Sequence, residues 1–224
     1  MKPIWAAMVC VLTAGNSLGQ NGPPPLAPLP KVIAEGGETS PVLSSMAPPE
    51  VVASASTAVA KLGDEVVLGR YKAAIDRMNP LWKERTAKRM GGMDKLESQL
   101  DGVAQQMVQN GISMISFKPQ GQPRSYEVGA GKKVEKVNGE NVESLVFNQW
   151  LVMIPTVTKF RITRQNEKTM VIESIGFQVA ISDKGKNDWT FIDGSGLSVN
   201  DLRSLFFNLP ADIELPPTGK RESN

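Results

Sequence analysis

The alternation of side chains from residue 169 to residue 182 constrains this chain more than any other feature. Val171, Ile175, Phe177, Val179 and Ile181 fall largely on one side of an extended segment, the pattern of a strand with one buried face. Its neighbours share that character. Residues 143–154 read as a long strand, with Pro155 marking a bulge or an edge and residues 157–164 continuing past it. Residues 183–188 form a polar turn and Trp189 to Asp193 a last strand. Earlier, residues 112–117, 124–128 and 133–137 read as shorter strands, with Asn138-Gly139 as a turn signal.

The segment ahead of these strands has a helical period instead. Val67, Tyr71, Ala74 and Met78 share one face of a helix that starts near Asp64, with helical character reaching back to Thr57. Asn79-Pro80 ends it and opens a second, short helix, with Asn79 as N-cap and Pro80 at the first helical position. This second helix stops at Gly91-Gly92. A third runs from Met93 to Gln109 with Met93, Leu96, Leu100, Val103, Met107 and Val108 in its stripe, and Gly111 suits its C-terminal stop. Residues 197–209 read as a closing helical segment, with Leu202, Leu205, Phe206 and Leu209 turned inward. Helices first and an antiparallel meander afterwards make an α+β fold, with three N-terminal helices packed on a strongly curved sheet. A curved sheet capped by helices is a cone, and a cone has a mouth.

The remaining stretches are simpler. Residues 1–19 have the form of a secretory signal peptide: Lys2, an apolar run from Ile4 to Ala14, and small residues at 17–19. The run is shorter than the roughly 20 residues a membrane-spanning helix needs. Cleavage is expected after Gly19, giving a secreted or periplasmic protein, with membrane attachment only if the signal stays on. Residues 20–55 hold half of the chain's 16 prolines and no aromatic residue, so they read as an unstructured linker. The folded domain is expected over residues 56–217, followed by a polar tail at 218–224.

Composition removes several chemistries. Histidine is absent and the only cysteine, Cys10, lies in the leader. The usual general base and the commonest metal ligands are therefore missing, and no metal or cofactor is expected. A net charge of +2 gives no nucleic-acid footprint.

The Tyr71 helix followed by Asn79-Pro80, the Gly91-Gly92-Met93 helix start, the run Leu151-Val152-Met153-Ile154-Pro155-Thr156, and the ending Trp189-Thr190-Phe191-Ile192-Asp193-Gly194 with Leu209-Pro210 and Leu215-Pro216 together resemble the nuclear transport factor two-like superfamily. This cone-shaped fold is shared with ketosteroid isomerase and cystatin-like domains, and the likeness is to its exported bacterial members. It spans residues 57–217, and its ending is its most specific part. The resemblance implies a fold, often dimeric, that hosts enzymes, binding proteins and adaptors alike; it implies no single function.

Isomerases of this superfamily use a carboxylate base and acidic hydrogen-bond donors in an apolar cone. No residue here matches their motifs, so no catalytic residue is assigned. Tyr71 and Asp76 lie five residues apart on one helix and point about 140° from each other. Asn148 and Trp150 share one strand face, as do Trp189, Phe191 and Asp193. With Tyr71 and Trp82 these are the candidate pocket residues, an aromatic lining with a few polar handles. The alternative is that they are core packing.

Other patterns carry less. Asp193-Gly194-Ser195-Gly196 is a turn, with Asp193 accepting backbone hydrogen bonds. Gly129 to Lys133 fails as a phosphate loop, because Tyr126 and Lys133 stand where glycine and Ser or Thr are required. Asp183, Asp188 and Asp193 lack the spacing of a calcium loop. Lys83, Arg85, Lys88 and Arg89 read as a solvated helix face. The expectation is an exported, non-catalytic domain that binds a small amphipathic ligand or an envelope protein. The alternatives are an isomerase or lyase acting on a hydrophobic substrate, and an adaptor whose cone is filled by its own side chains.

Overall fold

A computed structural model describes residues 46–137, 140–163 and 168–222. The expected signal peptide, the expected linker up to residue 45, the turn expected at Asn138-Gly139 and the end of the strand expected at 157–164 lie outside the described residues. The fold is α+β. Among the described residues four helices precede a six-stranded sheet whose pairings are antiparallel: α1 (Pro49–Val67), α2 (Lys72–Asp76), α3 (Pro80–Met90) and α4 (Met93–Gln109). The strands are β1 (Ile112–Pro119), β2 (Arg124–Val137), β3 (Glu140–Ile162), β4 (Met170–Asp183) and β5 (Thr190–Asp193); α5 (Val199–Leu205) and β6 (Gly219–Glu222) follow.

α1 begins inside the stretch expected to be linker. Pro49 takes the first helical position, where its missing N–H costs nothing, and Glu50 sits in the positively polarised first turn. Ala55, Val59, Leu62 and Val66 then bury one stripe. The single helix expected from residue 64 to residue 78 is instead broken at Gly69, which adopts φ +78°, and α2 is a separate short turn of helix. α3 and α4 match expectation in extent, but Val108, expected in the stripe of α4, is exposed, because it falls past the face that Val103 and Met107 bury. Asn79 caps α3 by accepting from the Trp82 N–H at 3.4 Å, and Gly91 closes it in the left-handed conformation.

The long β3 and β4 form the spine of the sheet, paired from Gln149↔Asp183 to Ile162↔Met170. On the outer edge of β3, β2 pairs with residues 140–153 and β1 with residues 156–162. On the outer edge of β4, β5 pairs with residues 178–181 and β6 with residues 172–175. The stretch expected to be a polar tail outside the folded domain thus supplies β6, held by Arg221, whose guanidinium reaches Glu173 at 2.6 Å.

Two strand expectations need correction. The two short strands at 124–128 and 133–137 are one continuous β2. β3 also runs through Pro155 without a bulge there. Pro155 sits where β1 ends and β2 begins, so its missing N–H faces a gap in the partner strands, and its carbonyl accepts from the Gln120 N–H at 2.8 Å. The sheet's bulge lies instead in β1, between Met114 and Ser116.

The two faces of the spine are packed differently. Leu151, Met153, Phe177, Val179, Ile181 and Ile192 form one buried cluster with Leu202, Phe206 and Leu209 from the C-terminal segment. On the other face Val152, Ile154, Ala180 and Phe191 pack against Ala55, Val59 and Leu62 of α1. The most apolar side of β4 therefore meets the C-terminal segment, and the helices cover the side with smaller and more polar residues. The basic cluster on α3 helps to fasten the two layers: Arg85 and Arg89 reach Asp201 of α5 at 3.2 and 2.9 Å.

Candidate functional site

On the helix-covered face, β4 presents Ser174, Gly176, Gln178 and Ala180 in succession, because strand side chains alternate with period two. Thr158 of β3 stands opposite Ser174, and Thr156 opposite Gly176. Ala180 packs against α1, but Ser174, Gly176 and the two threonines are too short to fill the space below the helices, and a cavity of about 240 Å³ remains there. Its walls are largely apolar: Leu62 and Val66 from α1, Ile75 from α2, and Leu100, Val103 and Met107 from α4. The bulge in β1 matters here. The extra residue shifts the register, so that Met114 and Phe117 both face the cavity, opposite Phe160 and Thr158. With regular alternation one of the two would point away.

Polar groups converge at one end of the cavity. Asp193 is paired with Gln178 in the sheet. Its Oδ1 accepts from Gln178 Nε2 at 3.0 Å and from Ser195 Oγ at 3.3 Å. The Gly194 and Ser195 backbones also hydrogen-bond to it. Burial nevertheless dominates and pushes the Asp193 carboxyl up to about 6. The residue keeps partial accessibility and, with Gln178 and Ser195, lines the cavity. Tyr71 also lines the cavity, and partial burial raises its phenol above the usual range. At the other end, exposed Gln106 of α4 and Lys220 of β6 form the rim.

Residue Gly194 permits this arrangement. A Cβ there would come within 2.6 Å of the Phe177 ring, so only glycine lets the chain turn directly beneath that ring. Gly196 supplies the positive φ of the turn, at +74°. The turn expected at 193–196 is present, and its first residue is also the buried acid of the cavity. The sequence gives both jobs to one residue, and only the first could be read from the turn chemistry.

The cavity brings together four of the expected pocket residues: Tyr71, Trp82, Phe191 and Asp193. Asn148, Trp150 and Trp189 lie elsewhere. Asn148 is exposed, and its carbonyl accepts from the Lys184 N–H at 2.7 Å. Trp150 packs beside α1, with the Lys184 ammonium 4.6 Å from its ring centre. Trp189 is buried and donates from Nε1 to Ser54 Oγ at 3.0 Å. None of these three lines the cavity. Gln178, Ser174 and Thr158 were missed by sequence reasoning. The signal available was the polar side of β4, which reads as a solvent-facing side.

The remaining acidic and glycine-rich patterns resolve as ordinary structure. Asp183 is drawn below the usual carboxylate range by hydrogen bonds from Lys186 and Gln149, and Asp188 pairs with Arg77 at 2.6 Å. Neither approaches Asp193 as a shared ion site would require, and among the described residues no cluster of three potential metal ligands occurs. Gly129 to Lys133 lies inside β2, not in a loop. No helix among the described residues is long and apolar enough to cross a membrane. No family model matches this chain, and no curated protein or solved structure matches it either.

Proposed function

We propose that this is an exported domain of the nuclear transport factor two-like kind, a cone of helices on a curved sheet, and that it binds a small amphipathic molecule inside that cone. The observation that carries the reading is the cavity itself: apolar walls with one convergent polar group, Asp193 with Gln178 and Ser195. Such a site suits a mostly apolar ligand held in orientation by one hydrogen-bond donor. The filled-cone adaptor loses support, because the inward side chains of β4 leave space unfilled. The test is native mass spectrometry of protein purified from the cells that make it. A small mass retained under gentle conditions, and lost in Gly176→Leu, is the expected result. A bare protein mass under the same conditions counts against the reading.

A second reading, an isomerase or lyase acting on a hydrophobic substrate, is favoured by one specific observation. A carboxyl near 6 inside an apolar cavity is poised to accept a proton near neutral pH. It differs from simple binding in one measurable way. An enzyme would convert the retained molecule and lose that turnover in Asp193→Asn while still binding it; a binding protein would return the molecule unchanged.

A further inference from the structure

The cavity is polar at both ends, and the two polar ends sit on one strand. Ser174 and Gln178 are four residues apart on the same side of β4, a separation of about 13 Å at the usual strand rise. Asp193 stands beside Gln178, and Lys220 stands beside Ser174, each by sheet pairing. Thr158 faces Ser174 from the other side. Between the two ends lies Gly176, where an added Cβ would meet only Thr156 Oγ1, at 3.8 Å. The slot thus has an acid at its inner end, an unobstructed middle, and an ammonium with two hydroxyls at its rim.

Resting on the reading of this cavity as a binding site, we infer that its ligand is an elongated apolar carboxylate with a hydroxyl at the far end. The carboxylate lies at Lys220 and the hydroxyl at Asp193. Lys220 carries three N–H donors, so it can hold a carboxylate alongside another acceptor. Ser174 and Thr158 add hydroxyl donors to the same oxygens. At the inner end a ligand hydroxyl can donate to the Asp193 carboxylate, and a carboxylate placed there would meet like charge in an apolar surrounding. The order of the two groups is therefore fixed. With carbon–carbon bonds of about 1.5 Å at tetrahedral angles, an extended chain advances roughly 1.25 Å per bond, so about ten carbons with their terminal oxygens span the slot.

Calorimetry at pH 7.5 on the full chain tests this with four probes: ω-hydroxydecanoic acid, decanoic acid, decanol and decanediol. The hydroxy acid is expected to bind about tenfold more tightly than the diol, the margin of a charge-assisted hydrogen bond. Lys220→Gln, an exposed position where folding is not at stake, is expected to remove that margin and leave the diol unchanged. Equal binding of hydroxy acid and diol, or a margin that survives Lys220→Gln, overturns the inference. If in that case the diol still binds and Gly176→Leu abolishes it, the cavity remains a binding site with a different ligand. Failure of all four probes to bind overturns the inference and the binding reading together.

Discussion

The two faces of β4 show how one strand can build a core and a cavity at once. On one side Phe177, Val179 and Ile181 meet the C-terminal segment and are almost wholly buried. On the other side Ser174, Gly176, Gln178 and Ala180 meet the helices, and only Ala180 is in close apolar packing. The backbone is shared, so the difference lies in the side chains alone. Large apolar side chains fill the space to the next layer; small and polar ones leave it open. The helices close over that space because their own stripes, Val59 and Leu62 on α1 and Val103 and Met107 on α4, find apolar partners at its margins. The close apolar packing of β4 is therefore concentrated on the C-terminal side of the sheet and the open cavity on the helix side.

This contrast can be broken most severely from the filled side. Phe177→Ala is expected to cost about 3–5 kcal/mol, the usual range for removing a buried ring, measured by urea unfolding. Leu100→Ala, on the cavity wall, should cost about 2 kcal/mol or less by the same measurement, since its side chain is only partly buried and already borders empty space. Equal costs would mean that the helix side is packed as tightly as the other.

The acid at the end of the cavity sharpens the comparison through pH. Its carboxyl is raised to about 6, so the folded state holds that proton more tightly than the unfolded chain does. The stability linked to Asp193 is complete below about pH 4 and lost as pH rises through 6, at most about 3 kcal/mol in all. Asp193→Asn should therefore gain on the wild type as pH increases, with the gap widest near pH 7.5 and small at pH 4. A gap that does not change with pH would place the carboxyl in water.

Gly194→Ala comes next in size. Its Cβ would collide with the Phe177 ring, and a loss of about 1–3 kcal/mol is expected from overpacking. The smallest effect lies opposite. Gly176→Ala places a methyl into open space on the cavity side and removes a flexible residue from a strand interior, so a gain of about 0.5–1 kcal/mol is expected. Thermal unfolding of this pair, one glycine in β4 and one in the turn after β5, should move in opposite directions.

Much of this architecture was legible in the sequence, for identifiable reasons. Asn79-Pro80 and Gly91 act through local backbone chemistry, so α3 could be bounded without knowing its neighbours. The alternation along β4 needed only its own residues. The misreadings involve long-range partners. Pro48-Pro49 looks like linker until Pro49 is seen at the head of a helix whose stripe is buried by the sheet. Pro155 looks like an interruption until its position at the gap between β1 and β2 is known. β6 consists of four exposed residues, and nothing in its own composition announces a strand. In the site, Tyr71, Trp82, Phe191 and Asp193 were found by their chemistry. Trp150 and Trp189 were grouped with them because aromatic residues on a common strand face look alike whether they line a cavity or pack against a helix. The polar side of β4 was passed over because small polar residues facing helices across a void have the same pattern as residues facing water.

The most direct measurement is the carbon-13 NMR titration of the Asp193 carboxyl, assigned by its absence in Asp193→Asn. An acid enclosed at the end of an apolar cavity should titrate near 6 and shift when a cavity ligand is added. A midpoint near 4, unmoved by ligand, would show that the group is solvated and would contradict the account of the helix-side cavity as a binding site.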